Sequence, residues 1–140
     1  MTEDDGAGTL ETGIRQYLAT CAPVCAITKR FYAWTRPQNS DSLPDVLIQR
    51  TATFFQQTTC GTDGLVAGQM QIDSYAMNGL VAVRLAQALK AALDGFSTGM
   101  MGDTYVDRVI IDNEFAAGDP DPGIARMTQL YTFWFTEDST

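Results

Sequence analysis

Residues 65–95 read LVAGQMQIDSYAMNGLVAVRLAQALKAALDG, and this stretch decides the fold. Its first part alternates. Val66, Met70 and Ile72 fall opposite Gln69, Gln71 and Asp73, the period of a half-buried strand. Its second part changes period, with Val81, Leu85, Ala88, Leu89 and Ala92 recurring at helical spacing. Asn78 suits the N-cap, because its side-chain oxygen can accept from a first-turn N–H. Gly95 suits the position just past the helix, where φ commonly turns positive. A strand running straight into an amphipathic helix predicts a sheet with an apolar face and a helix laid on it. Val81, Leu85 and Leu89 are expected to pack on Met70, Ile72, Val109, Ile111, Tyr131 and Phe133.

On the N-terminal side, Val46 to Thr58 reads as a Thr-rich strand. Val46, Ile48, Ala52 and Phe54 are expected on one face, with Leu47, Gln49, Thr51, Thr53 and Phe55 on the other. The turn CGTDG, Cys60 to Gly64, is short enough to join this strand to the next as an antiparallel hairpin. Upstream, ITKRFYAW allows a short strand, and RPQNSDSLPD is a loop by its Pro, Asn, Ser and Asp content. A loop that long is a candidate contact element, which singles out Pro37, Leu43 and Pro44. Before it, Leu10, Ile14, Tyr17, Leu18 and Cys21 form one apolar stripe. That stripe predicts a helix from about Thr9 to Thr20, capped by Thr9 or Thr12. Cys21 and Cys25 are read as two small buried residues, since no further Cys or His stands close enough for a metal site.

On the C-terminal side, GFSTGMMGDT, Gly95 to Thr104, reads as a flexible loop whose glycines lack dinucleotide-binding spacing. Tyr105 to Phe115 is the third long strand. Val109, Ile111 and Phe115 are expected on one face, with Arg108, Ile110, Asp112 and Glu114 on the other. AAGDPDPG turns the chain and presents Asp119, Pro120, Asp121 and Pro122. In the last strand, Ile124 to Phe135, Met127, Tyr131, Phe133 and Phe135 oppose Thr128, Leu130, Thr132 and Trp134. That strand is apolar on both faces, although a sheet covered on one side should turn polar residues to the other. Leu130 and Trp134 are therefore either covered by the Thr9–Thr20 helix or form a subunit interface.

The expected fold class is α+β. An antiparallel or mixed sheet of about four strands carries an N-terminal helix and one long helix. Residues 1–8 read as a flexible acidic tail, 9–137 as a single domain and 138–140 as a C-terminal tail. Lys plus Arg number 9 against 17 Asp plus Glu, a net charge of −8. This disfavours direct nucleic-acid binding and attachment to an anionic membrane. No apolar run approaches the roughly 20 residues of a membrane span. Histidine is absent, which removes the usual proton shuttle near neutral pH. Neither a nucleophile with a histidine base nor a metal-ligand cluster is visible, so no cofactor and no catalysis are expected. Three cysteines are too few for a disulfide framework, and a reducing compartment fits.

The order of these pieces resembles a family. An N-terminal helix is followed by LPDVLIQ opening a Thr-rich strand, then QMQIDSYA leading into VRLAQALKAAL. A strand reaching Glu114, the turn DPDPGIAR and a final strand holding TFWF complete it. From about Leu10 to Glu137 the chain resembles the tail-completion, or tail-terminator, neck proteins of long-tailed bacteriophages. That resemblance implies a structural virion protein. It would form a homo-oligomeric ring, usually of six subunits, capping the tail tube protein and joining it to the head-completion or connector protein. DNA would pass through its lumen without specific binding, kept from sticking by the acidic excess lining it. One alternative is another neck or minor tail protein, such as a head-closure subunit. The other is a small enzyme with a carboxylate site built from Asp103, Asp107, Asp112 or Glu114.

Overall fold

The computed structural model describes residues 9–35, 43–55, 65–117 and 123–136. Three helices are described: α1 (Leu10–Leu18), α2 (Ala22–Cys25) and α3 (Gly79–Leu93). The strands are β1 (Phe31–Ala33), β2 (Asp45–Phe55), β3 (Leu65–Ala76), β4 (Ser97–Met101), β5 (Thr104–Ala117) and β6 (Ala125–Thr136). The α+β class stands, but the sheet among the described residues has six strands rather than about four, ordered β1-β2-β3-β6-β5-β4. It is mixed. β1 lies parallel to β2, and every other neighbouring pair is antiparallel.

The helix ends form as their sequences dictate. Asn78 Oδ1 accepts from Val81 N at 2.9 Å, and Gly95 follows the helix at φ +84°. Thr9 Oγ1 accepts from Thr12 N at 3.3 Å to cap α1. The buried stripe of α3 is Ala82, Leu85, Ala86, Leu89 and Leu93, while Val81 is only half-buried. Leu85 and Leu89 pack with Met70, Ile72, Val109, Tyr131 and Phe133, and Leu10, Ile14 and Leu18 of α1 join the same cluster. Both long helices therefore lie on one face of the sheet.

The stretch 95–104 is not a loop. Ser97–Met101 forms β4 and pairs with β5 through Met100–Tyr105 and Met101–Thr104. Its Ser, Thr and Gly offer no alternation to read, so tertiary pairing decides its state. Close packing fixes it: a Cβ on Gly13 of α1 would collide with the carbonyl oxygen of Met101.

Two expected face assignments change at β-bulges, each of which inserts one unmatched residue and reverses the parity beyond it. The register shifts between Arg50 and Ala52, so Ala52 and Phe54 turn away from the face of Val46 and Ile48. It shifts again between Ile111 and Asn113. Phe115 thus leaves the face of Val109 and Ile111, and Glu114 joins it. A polar knot forms there beneath α3, buried at Gln129 and Tyr131 and reaching exposed Glu114. Gln129 Nε2 donates to Ala86 O and Glu114 Oε2, both at 2.9 Å, and Gln129 Oε1 accepts from Tyr131 OH at 2.9 Å.

Candidate functional site

Strand pairing places the other face of the sheet in rows. Asp45, Tyr75, Arg126 and Ala117 form the first, then Leu47, Asp73, Thr128 and Phe115. Gln49, Gln71, Leu130 and Asn113 follow, then Ala52, Gln69, Thr132 and Ile110, and last Phe54, Ala67, Trp134 and Arg108. Among the described residues no helix packs on this face. The expectation that the N-terminal helix covers Leu130 and Trp134 is corrected: α1 sits on the opposite side, with Leu10 Cδ2 within 3.7 Å of where a Cβ on Gly68 would stand.

The face is closed where Leu47, Asp73 and Tyr75 of β2 and β3 meet, and open along β5 and at Phe54. Leu47, Tyr75 and Asp73 are buried. Asp73, 1% exposed, accepts from Thr128 Oγ1 at 2.6 Å and from Gln71 Nε2 at 3.0 Å, which satisfies both carboxylate oxygens. Arg126 Nη1 donates to Tyr75 OH at 3.3 Å. On β5 Ile110 and Phe115 are exposed, and across the sheet on β2 Phe54 is 58% exposed. Leu130 and Trp134 are half-buried between them, and the Arg108 guanidinium lies 4.6 Å from the Trp134 ring centre. Asp112 is exposed and accepts from Thr132 Oγ1 at 2.5 Å.

The structure separates the residues singled out from sequence. Leu130 and Trp134 share this face. Leu43 and Pro44 lie elsewhere, lining an open cleft of about 400 Å³ with Cys25, Ile27, Thr28, Lys29 and Arg30. There Pro44 O accepts from Thr28 Oγ1 at 2.6 Å. Pro37, Asp119, Pro120, Asp121 and Pro122 lie outside the described residues, as do the two terminal tails. Phe54 and Phe115 escaped the sequence reading because nothing in the alternation marks Thr51 or Asp112 as a bulge.

The carboxylates proposed for an enzyme do not converge. Asp103 is in the β4–β5 turn, and Asp112 and Glu114 bond on opposite faces of the sheet. Among the described residues no three His, Cys, Asp or Glu side chains gather to hold a metal ion. Cys21 and Cys25 are half-buried rather than buried. Each thiol donates to a carbonyl, Cys21 to Tyr17 O at 3.4 Å and Cys25 to Ala19 O at 3.3 Å. Burial pushes the Cys21 thiol up, away from the thiolate that metals prefer. Charge is unevenly placed along the sequence. Eight acidic and eight basic residues fall among the described positions, so the whole acidic excess is carried by the rest.

No protein-family model and no curated protein sequence matches the chain. A solved structure does: a chain of the virion of a native gene transfer agent particle, with a TM-score of 0.69 and 15% identity. The likeness covers 94% of this chain and 97% of that one. At this identity the likeness is one of fold.

Proposed function

We propose that the chain is a structural subunit of a phage-like virion, and more narrowly a tail terminator. In this reading six copies form a ring that caps the completed tail tube and joins it to the head connector. The observation that carries it is the sheet face without a helix layer, where Phe54, Ile110 and Phe115 stand exposed beside Leu130 and Trp134. Monomeric proteins rarely leave such a surface open, and an interface core is where it belongs. The fold supports the reading because its solved neighbour belongs to a virion and matches end to end. The order of sequence motifs supports it independently. DNA would pass the ring without adhering, since the acidic excess supplies few cations to displace its counterions.

Particle morphology tests this. Particles made without the chain should show tail tubes of uncontrolled length beside filled, tailless heads. Normal virions would remove the proposal. Normal tails that fail to join heads would instead point to a head-closure subunit.

A further inference from the structure

Among the described residues two surfaces lack a covering layer, and they lie on opposite sides of the sheet. One is the sheet face just described. The other is the outward side of α3, where Leu80 and Val83 are exposed apolar residues and Lys90 is an exposed cation. We propose that α3 of one copy lies across the open sheet face of the next, with Val83 on Phe115 and Lys90 on Asp112. Each sheet is then sandwiched between its own helix and its neighbour's. The inference rests on the ring reading and names the contact that builds the ring.

The spacing carries the argument. Val83 and Lys90 are seven residues apart, so they share one stripe of the helix, roughly 10 Å apart along its axis. Asp112 and Phe115 are three residues apart on β5, roughly 7–9 Å because the bulge takes up part of a step, a difference the long lysine side chain spans. The bulge at Asp112 puts both on the same face, where Asp112 meets Thr132 and Phe115 pairs with Thr128. The levels agree as well. α3 runs back along β3: it starts just after Ala76, Ala86 O accepts from Gln129, and Gly95 N donates to Val109 O at 3.0 Å. Val83 thus stands at the level of Phe115, and Lys90 at the level of Asp112, on opposite sides of one molecule. A neighbour displaced along the sheet normal and rotated about an axis parallel to the strands keeps these levels, so it brings apolar onto apolar and cation onto carboxylate at once while the rotation lets the ring close. Such a contact uses two different surfaces, as a head-to-tail ring requires.

Two experiments test it in particles from cells making the variant chain. The first places the photocrosslinker p-benzoylphenylalanine at Phe115. Its product should be a dimer of this chain, joined within α3 near Val83. Crosslinks confined to other proteins or other segments would overturn the contact. The second is a charge swap. Lys90→Glu and Asp112→Lys should each lower the yield of tailed particles about tenfold, and the double variant should return it to within about threefold of the parent. Single variants without effect, or a double variant worse than either, would overturn the pairing. Either failure leaves the ring reading standing if particles lacking the chain still show unregulated tails.

Discussion

Arg50 grips Glu11 with two parallel hydrogen bonds, Nε to Oε2 at 2.8 Å and Nη2 to Oε1 at 3.0 Å, and so pins α1 to β2. Nη1 adds a bond to Thr53 Oγ1 at 3.3 Å, and the guanidinium lies 5.3 Å from the Phe135 ring centre. The two side chains are unequally buried, 23% exposed for Arg50 and 4% for Glu11. Losing the arginine should therefore hurt more, because it strands the better-buried charge. Arg50→Met is expected to cost about 3–5 kcal/mol. Glu11→Gln, which leaves the arginine partly solvated, should cost about 1–3 kcal/mol. The double Met variant should recover much of the loss. Denaturant melts of the three variants check the order.

Gly13 should resist replacement. Alanine is the better helix former by about 1 kcal/mol, which alone predicts stabilisation. The Met101 carbonyl occupies the place of its Cβ, so α1 must shift away from β4. Overpacking of this kind costs about 1–3 kcal/mol, and Gly13→Ala should be destabilising on balance. A raised melting temperature would contradict the close approach.

The α3 stripe gives a graded test. Leu85→Ala should cost about 2–5 kcal/mol, since Leu85 is fully buried in the core. Val81→Ala, at a half-buried position, should cost less than about 1.5 kcal/mol. Equal losses from the two would mean the helix is rotated from the observed packing.

Tyr131 makes stability fall in alkali. Burial, with the Glu114 and Asp94 charges behind it, raises the phenol pKa far above its usual value. The unfolded chain releases this proton near pH ~10, while the folded chain holds it. Below that pH both states keep the proton and the contribution is whole. Above it the folded state binds more protons, so stability drops by about 1.4 kcal/mol per pH unit from this group. Tyr131→Phe should flatten the decline above pH ~10 by that slope, measured by chemical denaturation across the range.

The long elements were legible because their periods are strong. β3 and α3 announce themselves in 65–95, the caps at Asn78 and Gly95 form as read, and the β2–β3 hairpin pairs antiparallel. Of the short edge strands, β1 falls inside ITKRFYAW, where the sequence allows a short strand. β4 is not legible: STGMM takes its conformation from its neighbours rather than from its own pattern. The candidate face was half legible. Leu130 and Trp134 stood out because β6 is apolar on both sides. Phe54 and Phe115 were assigned to the core face, since counting by twos cannot register an inserted residue.

β6 stands at the centre of the sheet, between β3 and β5, yet it is the last of the described strands in chain order. It supplies Tyr131, Phe133 and Phe135, the largest fully buried side chains. During synthesis the two halves of the sheet, β1-β2-β3 and β5-β4, have no edge in common until this strand emerges. The sheet is therefore completed late and mostly through distant contacts, the topology expected to fold slowly and to expose unpaired strand edges until β6 arrives. A chain interrupted within β6 would lose the keystone of the sheet rather than an outer strand.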